Sequence, residues 1–227
     1  MNVCFMTKSF NSQQTKPRIL DAAETLFAEH GFAATSLRDI TKEAAVNLAA
    51  VNYHFGSKTA LLSAVFARRI GPINEERLRL LTELEKSAPG KPLDLHGVLR
   101  AFLLPPFLKM QEWGERGRKF MQLVGRTHSV EASEQMHEAF FKHFEEIIVR
   151  FTRAFENILP ELPKQNLHLR MQFVVGAMAH TLVWSQKLDQ LSQADPNHPI
   201  STFEELLQFV AAGMAAKHPP HTTEGIR

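Results

Sequence analysis

Apolar residues recur three and four apart along almost the whole of this 227-residue chain, and no stretch shows a convincing alternation of apolar with polar residues at the spacing of two that a half-buried strand needs. An all-α protein is therefore expected. In KPRILDAAETLFAEHGF, Ile19, Ala22, Ala23, Leu26 and Phe27 fall at i, i+3, i+4, i+7 and i+8, which gives a helix one buried stripe. Pro17 suits a first turn, where a missing N–H costs little, and Gly31 suits a left-handed stop. Thr35 or Ser36 can cap the next segment, SLRDITKEAA, with Leu37 and Ile40 inward and Arg38 and Lys42 outward. After Ala45 and Val46, Asn47 can offer its side-chain oxygen to the free amides of a third, short helix whose inner face carries Val51 and Phe55. Gly56 ends that helix and Ser57 caps the next, SKTALLSAVFARRI. Two helices joined by so tight a turn form a helix-turn-helix.

The residues left outside on the third helix are informative. Leu48, Ala49, Ala50, Asn52, Tyr53 and His54 are small or hydrogen-bonding and include no acid, a surface that the major groove of DNA accepts. Around them Thr35, Ser36, Arg38, Tyr53, His54 and Lys58 offer hydroxyls, cations and a helix N-terminus for phosphates. The competing reading makes this a packed helical subdomain with an aromatic core at Tyr53 and Phe55.

Composition excludes several classes without selecting one. A hydrophobic fraction of 44% and a charged fraction of 22% are those of an ordinary folded protein. A net charge of +2 is too small to argue for nucleic acid, so any such affinity must come from local placement of basic groups. A single cysteine, Cys4, excludes an intramolecular disulfide and a multi-cysteine zinc site. The start MNVCFMTKSF lacks a long apolar core, so neither a secretion leader nor a membrane span is expected, and the default location is the cytoplasm.

The run TKPRILDAAETLFAEHGFAATSLRDITKEAAVNLAAVNYHFGSKTALLSAVF resembles the N-terminal DNA-binding domain of TetR-family transcriptional regulators. It carries Ala-Ala-x-x-Leu-Phe, Gly-Phe-x-x-Thr-Ser and Tyr-His-Phe-x-x-Lys, and covers about a quarter of the chain. One departure is Ala45, where the family usually has glycine; a left-handed backbone there would be strained by about 1 kcal/mol. Asn-Leu-Ala-Ala-Val-Asn-Tyr-His-Phe, with Gly71-Pro72 and the Ala-Ala-Gly-Met at 211–214, is more narrowly similar to the PsrA-like branch, whose members are associated with fatty-acid metabolism. The resemblance implies a helix-turn-helix domain over 15–60 and a larger helical domain for effector binding and dimerisation over 61–218. Disordered ends are expected at 1–14 and 219–227, the latter with a histidine-containing tail.

In the larger part, Gly71-Pro72 should kink or break the fourth helix, residues 87–92 form a loop, and LDLHGVLRAFLLPPFLKM is a helix interrupted at Pro105-Pro106. A short helix in GRKFMQLVGRTHS precedes a single long one in SEQMHEAFFKHFEEIIVRFTRAFENIL. LRMQFVVGAMAHTLVWSQ is apolar on nearly every face, and FEELLQFVAAGMAA carries one stripe, so a bundle of these helices from two subunits is expected. Val175, Met178, Leu182, Leu206, Val210 and Met214 are its candidate residues; a larger monomer core is the other reading. Aromatic and aliphatic walls, Phe107, Phe140, Phe144, Phe151 and Trp184, suit a long apolar effector, with Arg126, His128 and His180 as candidates to orient its head. Each has an ordinary alternative as an ion-pairing, helix-end or core residue.

Signals for an enzyme are thin. Glu134 and His137 form one Glu-x-x-His pair, but a di-iron bundle needs a second pair and two more carboxylates. Phosphate-loop and nucleophile-elbow motifs are absent. No metal, cofactor or catalytic residue is therefore expected. The expected function is that of a repressor that binds palindromic operator DNA as a homodimer and is released by a small apolar effector, a fatty acid or acyl-CoA. An effector-independent architectural DNA-binding protein and a small helical metalloenzyme are the alternatives.

Overall fold

The computed structural model describes residues 4–127, 132–191 and 200–217. Among these the secondary structure is helical throughout: α1 (Cys4–Ala34), α2 (Leu37–Glu43), α3 (Leu48–Phe55), α4 (Lys58–Ser87), α5 (Leu95–Trp113), α6 (Glu115–Thr127), α7 (Glu134–Phe141), α8 (Glu145–Ile158), α9 (Lys164–Leu191) and α10 (Ile200–Ala215). A 3-10 turn, Lys142–Phe144, joins α7 to α8. His128 and the tail 219–227 lie outside the described residues. The arm expected to be disordered over 1–14 is helical from Cys4, so that Pro17 sits inside α1 rather than in its first turn.

Local stop signals act as read. Gly31 takes φ 83° and interrupts α1 near its end, and Gly56 takes φ 76° after α3. The proline signals do not break helices: α4 continues through Pro72 and α5 through Pro105 and Pro106. The single long helix expected over residues 133–159 is instead α7 and α8 with the tight turn between them. Long-range contacts fix that turn. Asn74 Nδ2 donates to His143 O at 2.7 Å, and the His143 ring lies 3.1 Å from Ser63 O and 3.3 Å from Ser63 Oγ.

The chain divides into two compact units, residues 1–75 with 109–145 and residues 76–108 with 146–227. The boundary expected after residue 60 falls within the first. In the first unit Ile19, Ala23 and Phe27 of α1 are buried together with Ile40, Val51, Leu61, Leu62 and Phe66. Phe66 meets Phe120 at 6.4 Å and Phe140 at 5.1 Å between ring centroids. A buried acid also ties α1 to α4: Glu24 accepts from Arg69 at 2.8 Å and from Arg68, which reaches Asp21 as well. Arg69 in turn lies 4.8 Å from the centroid of the Trp113 ring.

The second unit has its own apolar core, with Leu99, Phe102, Leu103, Ile147, Phe151, Phe155, Leu167, Val174, Phe203, Leu207 and Met214 packed in one cluster. Burying side chains of this size is worth about 1.5–3 kcal/mol each before conformational entropy is charged against it. Leu206, Val210 and Met214, expected to face a second subunit, are buried within this chain at 8%, 4% and 1% exposure. Their stripe is used by the protomer itself. The apolar residues left outside on α9 and α10 are others: Leu169, Phe173, Val183, Trp184 and Phe209.

Candidate nucleic-acid interface

Each turn of the helix-turn-helix is held by a side chain that the local sequence supplies. Ser36 closes a capping box on α2: its Oγ accepts from Asp39 N at 3.2 Å, and Asp39 Oδ2 accepts from Ser36 N at 2.9 Å. The hydrogen bonds from Ser36 hold the Asp39 carboxyl below its ordinary range, so the cap stays ionised. Asn47 Oδ1 accepts from Ala50 N at 2.8 Å and starts α3. Ser57 Oγ accepts from Ala60 N at 3.0 Å and starts α4. The turn between α2 and α3 passes through Ala45 at φ 49°, the left-handed backbone that glycine accommodates more cheaply.

Three cations from distant parts of the chain complete the frame, and local sequence gives no sign of the carbonyls they serve. Arg18 of α1 donates to Ala45 O at 3.2 Å. Lys58 Nζ donates to Phe32 O at 2.8 Å and Thr35 O at 2.9 Å and lies 4.4 Å from the Phe32 ring centroid. Arg126 of α6 donates to Ala28 O and Glu29 O, both at 2.9 Å. Each carbonyl lies at a helix end or turn, where no amide of the same helix can serve it. A Cβ at Gly31 would approach Arg126 to 3.3 Å.

The face expected to meet DNA is partly corrected by this frame. Thr35 is buried, with its hydroxyl 2.8 Å from Gly31 O and 3.2 Å from Leu26 O, and is spent on holding α1 to the turn. Lys58 is half-buried, caps α1 and so positions the motif. The Ser36 and Asn47 oxygens serve as caps, though both residues are exposed. Arg38, Leu48, Ala49, Asn52 and Tyr53 are exposed, while Ala50 and His54 are half-buried. Tyr53, at 85% exposure, is not part of an aromatic core, which removes the competing reading of that residue. Ala49, Asn52 and Tyr53 lie three and four apart, hence on one side of α3, and Val51, at 1% exposure, holds the opposite side. Eight residues of helix are about 12 Å long, close to the width of a major groove.

The residues grouped for an effector are divided between the two units. Phe140 and Phe144 pack in the first unit with ring centroids 5.1 Å apart. Arg126 is committed to the end of α1, so it is not an orienting group for a ligand. In the second unit Phe151 is in the core and Phe107 meets Phe203 at 5.3 Å. His180 and Trp184 stack on each other at 6.0 Å, but both are exposed on α9. Val175, Met178 and Leu182 are half-buried, the first two packed against the core cluster.

The role of a further cation was not legible in the sequence. Arg77, in the stretch read as a charged continuation of α4, is 2% exposed. Its Nε donates to Phe102 O at 2.8 Å, and its guanidinium lies 4.5 Å from the Phe102 ring centroid. Phe102 O is the carbonyl that residue 106 would serve in a regular helix, and residue 106 is a proline without an N–H. The signal was therefore present as Pro106, but not the identity of the donor. Among the described residues no group of three His, Cys, Asp or Glu could hold a metal ion, and no helix is long and apolar enough to cross a membrane.

A short acid-free helix, exposed on one side and set by a tight turn against a capped partner, defines a helix-turn-helix. Residues 19–65 match the family model of bacterial regulatory proteins of the tetR family, and residues 100–213, half of the chain, match that of the tetracyclin repressor-like C-terminal domain. The chain belongs to the TetR family of transcriptional regulators, which bind DNA and are not enzymes. It is 34% identical over 113 residues to the HTH-type transcriptional regulator AcrR of Shigella flexneri, an alignment over 50% of this chain and 49% of that protein. Thus the chain spans about half the length of this curated relative. The structure of SmeT, the repressor of the Stenotrophomonas maltophilia multidrug efflux pump SmeDEF, superposes with a TM-score of 0.59 at 25% identity, covering 89% of this chain and 91% of SmeT. A SmeT–triclosan complex superposes with a TM-score of 0.61 at 22% identity over 91% of this chain and 100% of the other.

Proposed function

We propose that the chain is a homodimeric repressor that binds palindromic operator DNA through α3 and is released by a small apolar effector. The exposed, acid-free side of α3 carries this reading. Ala49 and Ala50 suit thymine methyls, and Asn52 suits an adenine edge or a phosphate, so A·T pairs are expected in each half-site. Ser36, Arg38 and Tyr53 are the candidate phosphate contacts, and His54 and Asn47 flank them.

Dimerisation is supported by a face of α9 and α10 that the protomer leaves uncovered. Leu169, Phe173, Gly176, His180 and Val183 repeat at four, three, four and three residues along α9, and all are exposed. Phe209, Ala212 and Gly213 on α10 are exposed as well, and α10 packs beside α9. Phe173 at 68% and Phe209 at 73% exposure would be poor choices for a surface facing water. Two such pairs can close a symmetric four-helix bundle.

For the effector, SmeT's complex with triclosan supports a small-molecule ligand, in a protein of the same fold. A fatty acid or its acyl-CoA is the class suggested by the resemblance to the PsrA-like branch. Ligand and DNA that favour different separations of the two α3 helices weaken each other by the same factor, about 5- to 150-fold in such coupled systems. The test is a titration of the operator complex with fatty acids and acyl-CoAs of increasing chain length, following Trp113 and Trp184 fluorescence together with DNA release. Release should grow with chain length to an optimum. Tight binding of these compounds with unchanged operator affinity would contradict the effector half of the reading and leave DNA binding intact.

A further inference from the structure

With a net charge of only +2, the chain must reach a DNA backbone through a few well-placed cations, and the frame uses two of those that touch the motif or the helix before it. Lys58 serves Phe32 O and Thr35 O, and Arg126 serves Ala28 O and Glu29 O. Arg18 is placed differently. It is exposed on α1, and its Nη2 donates to Ala45 O at 3.2 Å, across 27 residues of sequence. Ala45 lies just before Val46 and Asn47, the cap of α3, so the guanidinium sits beside the turn that leads into the DNA-facing helix. A guanidinium carries five N–H donors in a flat fork. Among the described residues Ala45 O is the hydrogen-bond partner of Arg18, which leaves the other donors to solvent. Asp21, the next acid along α1, is taken by Arg68 at 2.6 Å.

We propose that Arg18 is a phosphate contact of the DNA-binding face: its bond to Ala45 O fixes the guanidinium beside the entry to α3, and its remaining donors take an oxygen of the DNA backbone that borders the groove. This rests on the reading in which α3 enters the major groove, and it adds a contact from α1, outside the two helices of the motif. A recognition helix meets base edges through its N-terminal residues, so a strand bordering the groove passes close to the turn before it. A guanidinium suits that place better than an ammonium, because its fork holds a carbonyl oxygen on one side and a phosphate oxygen on the other. A side chain already tethered to the backbone also loses less freedom when it meets the phosphate. Phosphates carry no sequence information, so Arg18 raises affinity for all duplexes alike.

The experiment measures affinity by fluorescence anisotropy for two duplexes, one recovered by binding-site selection and one of unrelated sequence, between about 50 and about 200 mM salt. Wild type is compared with three variants: Arg18→Ala; Arg18→Gln, which can still donate to Ala45 O but has no charge; and Arg18→Lys, which keeps the charge without the fork. Melting curves report whether each variant folds. Arg18→Ala and Arg18→Gln should weaken both duplexes by the same factor, about tenfold at the lowest salt, and lower the slope of log affinity against log salt by about 0.9 for each bound chain. Arg18→Lys should keep most of the slope and lose part of the affinity. An unchanged slope in both neutral variants, whatever their affinity, overturns the phosphate contact. So does a loss confined to the selected duplex, which would make Arg18 a positioning residue for α3 alone. If Arg18→Ala fails to fold, the other two variants decide by the same slopes. Both overturning results spare the α3 reading, which falls only if the selected motif ignores every substitution in α3.

Discussion

Ala45 is where this helix-turn-helix departs from what its backbone favours. At φ 49° an alanine is strained by about 1–2 kcal/mol relative to a right-handed conformation, and glycine is relieved of that strain at a smaller cost in unfolded-state entropy. Ala45→Gly should therefore raise stability by about 0.5–1 kcal/mol, measured by urea denaturation, without altering operator specificity. Exposed and buried members of the DNA-facing group should separate cleanly. Arg38→Ala and Tyr53→Ala should weaken binding evenly across sequences and leave melting unchanged. Thr35→Ala should lower stability by about 1 kcal/mol through the lost buried hydroxyl bond, with any effect on DNA following from that. Anisotropy titrations alongside melting curves distinguish the two. The caps were legible because Ser36–Asp39 and Asn47–Ala50 are three residues apart. Lys58 was legible only as a cation, because the carbonyls it serves are 23 and 26 residues away and nothing local announces them.

At the scale of elements, periodicity placed the helices but did not decide which side of α9 and α10 meets which neighbour. Both helices are apolar on more than one face, so Val210 and Phe209, adjacent in sequence, lie on opposite sides of that decision at 4% and 73% exposure. Val210→Asp should unfold the protomer, since an unpaired buried charge costs about 3–5 kcal/mol. Phe173→Asp and Phe209→Asp should leave the protomer's fold within about 0.5 kcal/mol of wild type and abolish dimerisation, read by sedimentation velocity. The 3-10 turn at Lys142–Phe144 was invisible for a related reason: it is held by Ser63 and Asn74, not by a proline or glycine of its own. Burial at that turn lowers the His143 pKa below its usual value, mainly by desolvation. The unfolded chain then binds the proton more readily than the native one, so stability falls as pH drops from about 6.5 through the lower native pKa. His143→Gln should flatten this acid limb in a series of melts between neutral and mildly acidic pH.

For the whole molecule, the family resemblance carried further than any physical pattern in the sequence, and it carried unevenly. The first 65 residues hold motifs whose spacing is set by the helix-turn-helix itself, and those predict both the elements and most of the exposed face. The remainder is held by contacts between residues far apart, such as Arg77 with Phe102 and Arg126 with Ala28, so its helices could be read but not the two units that they build. Aromatic residues grouped by sequence for one pocket are shared between those units for the same reason. The central claim concerns how the chain reads DNA, and binding-site selection from random duplexes by this 227-residue chain addresses it most directly. The account predicts a palindrome whose half-sites lie about one helical turn, roughly 34 Å, or a small multiple apart, with A·T pairs in each half. It also predicts that Ala50→Val changes the selected bases, while Tyr53→Ala lowers affinity and leaves the motif intact. A selection that returns no symmetric motif, or one indifferent to every residue of α3, would contradict it.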